Sequence, residues 1–81
     1  MIFSTLNKLK KGSPAKVYAL NSKGAIRQRL QDLGIIPGTR LECLYSSKGN
    51  AISAYLIRGC VIALRGEDAK DIVIVPCGVS A

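Results

Sequence analysis

The stretch from Ile26 to Thr39, Ile-Arg-Gln-Arg-Leu-Gln-Asp-Leu-Gly-Ile-Ile-Pro-Gly-Thr, leaves the backbone few choices. Ile26, Leu30 and Leu33 recur at i, i+4 and i+7, one apolar stripe on a helix of period 3.6, while Arg27, Gln28, Gln31 and Asp32 point elsewhere. The stripe is expected to be core. Gly34 falls where a helix ends in the left-handed conformation, which a residue without Cβ adopts freely, and Ile35 can then fold back on Leu30 as in a Schellman cap. The helix should therefore stop at Leu33. Pro37 presets φ for the second position of a β-turn, and Gly38 supplies the positive φ that a type II turn needs at the third. A strand should resume at Thr39 or Arg40.

The remainder reads as short strands separated by turn formers. After a basic lead-in containing Gly12 and Pro14, Ala15 to Leu20 has strand length and ends at Asn21-Ser22-Lys23-Gly24. Arg40 to Tyr45 alternates, with Leu41, Cys43 and Tyr45 on one face and Glu42 and Leu44 on the other. Ser46 to Asn50 suits a hairpin connection to a strand from Ile52 to Ile57. Gly59 is expected to mark a bulge or a sharp bend before a fourth strand, Cys60 to Leu64. Glu67 and Asp68 favour a single helical turn, and Ile72 to Val75 forms a closing strand ended by Pro76. About five strands, with one short helix inserted after the first, predict a mainly β fold, a small partly open barrel that suppresses exposed edges.

With 81 residues the chain makes one domain with an economical core. Lys and Arg total 12 against 5 acidic residues, a net charge of +7. Nine of those cations precede Gly49, where only Asp32 and Glu42 oppose them, so the basic field belongs mainly to the N-terminal half. Such a field attracts polyanions, anionic headgroups or an acidic protein face, and equally serves solubility. No stretch approaches the roughly 20 apolar residues that span a bilayer. Between Met1 and Lys11 the lysines follow the apolar residues, the reverse of a secretory signal, so a cytosolic location is expected.

The residue inventory narrows the chemistry. Histidine is absent and the acidic residues are few, so no general base is available to Ser or Cys and catalysis is not expected. No Gly-Lys-Ser or Gly-Lys-Thr occurs, which removes a Walker loop. Without Trp, and with one Phe beside Tyr18, Tyr45 and Tyr55, the chain is poorly equipped to bind polyproline or to stack bases. Nucleic acid is therefore not an expected partner; phosphate contacts through Lys and Arg are the alternative. Cys43, Cys60 and Cys77 are widely spaced, which argues against a disulfide framework or a structural zinc site. Cys43 and Cys60 are expected as buried strand residues, and Cys77 as an exposed thiol in a tail. No metal ligand set is visible; the only neighbouring carboxylates are Glu67, Asp68 and Asp71.

Several motifs in order carry a resemblance. Arg27-Gln28-Arg29-Leu30 leading into Asp32-Leu33-Gly34-Ile35 and Pro37-Gly38-Thr39, then Tyr55-Leu56-Ile57-Arg58-Gly59 and Ile62-Ala63-Leu64-Arg65 with Glu67-Asp68-Ala69, resembles the ferrous iron transport protein A (FeoA) family. The similarity runs from about Leu6 to Val75. It implies an SH3-like barrel forming a single domain over 1–81, ordered from about 5 to 76 and flexible over 77–81. It further implies a non-enzymatic cytosolic accessory protein of bacterial ferrous iron uptake. Such a protein would dock on the ferrous iron permease (transport protein B) or its GTP-binding domain at the inner face of the membrane. No cofactor is expected beyond a weak transition metal association. Related SH3-like modules occur at the C-terminus of metal-dependent repressors, so a metal-sensing module is a further alternative. The candidates for partner contact are Arg27, Arg29, Pro37, Arg58 and Arg65, set on a backbone shaped by Gly34, Gly38 and Gly59. For Arg58 and Arg65 the competing reading is a salt bridge to Glu67, Asp68 or Asp71. The central hairpin, Ser46 to Ala51, lacks the prolines usual in the family, so its loop is expected to be more flexible.

Overall fold

A computed structural model describes residues 3–47, 49 and 51–76. Six strands, β1 (Ser4–Thr5), β2 (Pro14–Leu20), β3 (Arg40–Ser46), β4 (Ile52–Ile57), β5 (Cys60–Arg65) and β6 (Ile72–Pro76), form one sheet in the order β1-β6-β2-β3-β4-β5. Every neighbouring pair is antiparallel. Helix α1 (Gly24–Asp32) lies between β2 and β3 in the chain, and a single helical turn, α2 (Gly66–Ala69), joins β5 to β6. The mainly β architecture with one substantial helix is as expected, with one strand added. β1 is two residues long, too short to show an alternation, and it pairs with β6 at the far end of the chain. A 3₁₀ turn, Leu6–Lys8, follows it and carries Leu6 into the core with no remaining exposure.

Alternation places one face of the sheet inward. Ala15, Val17 and Leu20 from β2, Leu41 and Cys43 from β3, Tyr55 and Ile57 from β4, and Ile72 and Ile74 from β6 form the core with Leu6, Leu30 and Ile35. Tyr55 is fully buried and spends its hydroxyl on the Leu6 carbonyl, donating at 3.3 Å, so the lead-in segment is tied to the middle of the sheet.

Three strand-level expectations require correction. Tyr45 does not share a face with Leu41 and Cys43: Cys43 pairs with Tyr55 but Tyr45 pairs with Ala54, so β3 carries an extra residue. That bulge turns Tyr45 outward, 56% exposed. Gly59 is neither a bulge nor a barrel corner. Ile57 pairs directly with Cys60, so Arg58 and Gly59 make a two-residue hairpin turn, both at positive φ (53° and 84°) as a type I′ turn requires. Cys60 begins the outermost strand beyond that turn and is exposed, whereas Cys43 is buried as expected. Ser47 closes the central hairpin, its backbone N–H donating to the Ile52 carbonyl at 2.8 Å. Lys48 and Asn50, on which the expected loop flexibility falls in part, lie outside the described residues, as do Cys77 and the expected tail over 77–81.

Candidate docking site

The helix stop is built as its residue types require. The Ile35 N–H donates to the Leu30 carbonyl at 2.9 Å and the Gly34 N–H to the Gln31 carbonyl at 2.9 Å, the two bonds of a Schellman motif, with Gly34 at φ +93°. The Thr39 N–H then donates to the Ile36 carbonyl at 3.0 Å around Pro37 and Gly38, whose φ is +94°, closing the type II turn. Thr39 Oγ1 donates back to the Gly34 carbonyl at 2.8 Å and locks cap to turn. Two further bonds join the turn to β2: Gly38 N–H to the Val17 carbonyl and Val17 N–H to the Thr39 carbonyl, both 2.8 Å. The C-terminal end of α1 is thereby held rigidly against the sheet.

The apolar stripe on α1 is not buried as a unit. Leu30 is core, but Ile26 remains 43% exposed and Leu33 39% exposed. The expectation that all three are core fails because the sheet ends at β5, and among the described residues no further strand covers the flanks of the stripe. What remains is a groove of about 650 Å³ between α1 and β5. Ile26, Leu30 and Leu33 form one wall, and Val61, Ala63 and Leu64 the other. Val61 is 66% exposed, unusual for an apolar strand residue.

The candidate cations divide into two groups. Arg29 and Arg65 both line the groove. Arg65 is 3.5 Å from Glu67, a largely solvated ion pair of little energetic weight and the salt bridge that the competing reading named. Arg58 stands at the hairpin turn where β5 begins, and its side chain crosses Gly34 so closely that a Cβ there would meet Arg58 Cδ at 2.8 Å. The guanidinium stem thus covers the C-terminal end of α1, where a cation also complements the helix dipole. Arg27 is not part of the groove; its guanidinium donates to the Leu20 carbonyl at 2.6 Å and fastens the helix to the end of β2. Pro37 sits in the type II turn that is bonded to β2, where it sets backbone geometry. Gly34 and Gly59 flank the Arg58 side chain, and Gly38 serves the turn. Sequence reasoning overlooked Val61 and Ala63 as groove residues. The alternation of Val61, Ala63 and Arg65 was a usable signal, since a strand with Arg65 outward must turn Val61 outward too.

Among the described residues no group of three or more His, Cys, Asp or Glu side chains gathers where a metal ion could be held, so Glu67, Asp68 and Asp71 do not converge. No described helix is long and apolar enough to cross a membrane. Among the described residues the one titratable group clearly shifted is Tyr55: burial pushes its hydroxyl above the ordinary value of 10.0, with Ser53 opposing and Cys43 adding. It lies in the core and belongs to the scaffold.

A family model for the FeoA domain matches residues 4–76. The chain belongs to the FeoA family. A curated relative from Campylobacter jejuni, named as a candidate Fe(2+) transport protein A, is 39% identical over 71 residues, covering 86% of this chain and 95% of the relative. The FeoA-like protein of Clostridium acetobutylicum superposes with a TM-score of 0.84 at 26% identity, covering 95% of this chain and 90% of that one. FeoA of Stenotrophomonas maltophilia, a prokaryotic SH3 domain protein crystallised with zinc, gives a TM-score of 0.78 at 25% identity, with 88% of each chain covered. The SH3-like barrel that the sequence motifs implied is thus the fold of this FeoA chain.

Proposed function

We propose that this FeoA protein is a non-enzymatic accessory factor of bacterial ferrous iron uptake that acts by docking on the ferrous iron permease, transport protein B, or on its GTP-binding domain. The observation that carries the reading is the α1–β5 groove: exposed apolar side chains on a held helix and an outer strand, with Arg29 and Arg65 and the carboxylates of Glu67 and Asp68 around them. Apolar side chains exposed together in a groove offer a partner surface to bury, and the charged side chains around them offer it orientation. The relative from C. jejuni, named for Fe(2+) transport and matched over nearly its whole length, supports the process. Docking would work by population shift, favouring whichever permease conformation presents the complementary surface. The net charge of +7 favours encounter with an acidic face or an anionic inner leaflet, which supports a cytoplasmic location at the inner face of the membrane in this reading. Iron is the cargo of the system in this reading, and the protein's own association with a transition metal is weak.

The test is binding to the purified GTP-binding domain and to the full-length permease at low and moderate salt, with an oligonucleotide as control. Leu33→Glu places a charge on the exposed apolar wall without touching the core, and should abolish binding while leaving the fold intact. Unchanged permease binding by that variant, or oligonucleotide binding in place of permease binding, would sink the proposal.

A further inference from the structure

We propose that β5 accepts an added antiparallel β-strand, an extended partner segment that is apolar at alternate positions and runs from a basic start to an acidic end, bedded between the β5 edge and α1. The proposal rests on the docking reading only for which protein carries the segment; the pairing itself stands on the edge.

β5 is the last strand of the sheet, so one side of its backbone has no strand partner among the described residues. Which groups face outward follows from the hairpin. In a two-residue turn the flanking residues, Ile57 and Cys60, exchange hydrogen bonds, and such pairs alternate along the ladder. Ile62 and Leu64 therefore bond inward to β4 like Cys60, and the Gly66 N–H continues the series by donating to the Ala51 carbonyl at 2.9 Å. Val61 and Ala63 turn their N–H and C=O groups out, and among the described residues none of these groups has a backbone partner beyond β4. A strand placed there completes the ladder, and its alternate side chains meet Ile26, Leu30 and Leu33 on α1.

Charge sets the direction of the segment. Arg58 stands at the beginning of β5, while Glu67 and Asp68 follow its end. Arg65 offsets part of the acidic end by pairing with Glu67, and Arg29 lines the groove as well, so the contrast between the ends is that of Arg58 against Asp68, which has no ion-pair partner among the described residues. A segment antiparallel to β5 starts beside Asp68 and finishes beside Arg58, so basic residues belong at its start and acidic residues at its end. The opposite orientation would set like charges against each other at both ends.

The probe is the peptide Lys-Val-Thr-Val-Thr-Val-Asp-Asp, with a twin N-methylated at the amides that would face β5, titrated into the full chain. Amide exchange at Val61 and Ala63 should slow, with chemical-shift changes at Ile26 and Leu33, and the twin should bind about tenfold or more weakly because it cannot complete the ladder. Ala63→Pro removes an outward N–H that β4 does not use, and should weaken the peptide comparably while the remaining amide spectrum is retained. Equal binding of the twin, shifts centred elsewhere, or no binding at millimolar peptide would overturn the proposal. So would slowing of Val61 and Ala63 exchange with protein concentration alone, which would assign the edge to a second copy. Permease binding is read separately: if the peptide fails and the permease binds, the strand is wrong and docking stands; if the peptide pairs and the permease does not bind, only the carrier is wrong.

Discussion

The two edges of this sheet are treated differently. At one, β1 is only two residues long and passes at once into a 3₁₀ turn whose Leu6 is fully buried and whose carbonyl is bonded by Tyr55. At the other, β5 runs for six residues with Val61 66% exposed and an apolar groove alongside. Short, anchored edges are the usual defence against unwanted pairing, and a long apolar edge is a liability. Blunting one and leaving the other open in so small a sheet fits the proposal that the open edge serves association, with stability assigned to the closed one.

That division is broken most directly by matched truncations. Leu6→Ala should cost roughly 2 to 5 kcal/mol in chemical denaturation, as expected for a fully buried leucine, whereas Val61→Thr should stay within about 0.5 kcal/mol. Comparable losses at the two sites would refute the assignment of stability to the β1 side.

Next in size is the junction where the open edge meets the helix cap. Gly34→Ala should destabilise by about 1 to 2 kcal/mol, because φ of +93° penalises a Cβ and the new methyl displaces Arg58. Repeating the change in an Arg58→Ala background separates the two costs: the clash vanishes and the backbone penalty remains. Full recovery in the double variant would mean that the left-handed conformation costs nothing here.

Tyr55 links the closed edge to pH. Its folded-state pKa lies above the unfolded value of about 10, so its contribution to stability is complete below pH 10 and is lost as pH rises through the folded pKa. Denaturation midpoints of the wild type should fall more steeply above pH 10 than those of Tyr55→Phe, which itself forfeits about 1 kcal/mol with the bond to the Leu6 carbonyl. Parallel alkaline profiles would show that the hydroxyl is not held neutral. The smallest effect is expected at the open edge: Glu67→Gln should change stability by no more than about 0.5 kcal/mol, since the pair with Arg65 is solvated at both ends.

By itself the sequence determined the unit from Leu30 to Thr39, cap bonds and turn included, because its hydrogen bonds close within a few residues and its φ requirements are met by Gly34, Pro37 and Gly38. It also determined which stretches become the five longer strands, though not the two-residue β1, and its ordered motifs pointed to the FeoA family and hence to the SH3-like barrel. Tertiary structure alone decided how much of each amphipathic element is covered. The stripe Ile26, Leu30, Leu33 specifies a face, but only the strand order shows that no described strand lies beyond β5 to bury its flanks. Cys60 lies exposed in a strand while Cys43 is buried in another, a difference between an edge and an interior position that residue type does not encode. Tyr45 faces outward because of a one-residue bulge, and a single-residue shift exchanges the faces of everything beyond it. The candidate groove belongs to this second class: its walls are far apart in sequence, and the space between them exists only once the sheet has stopped.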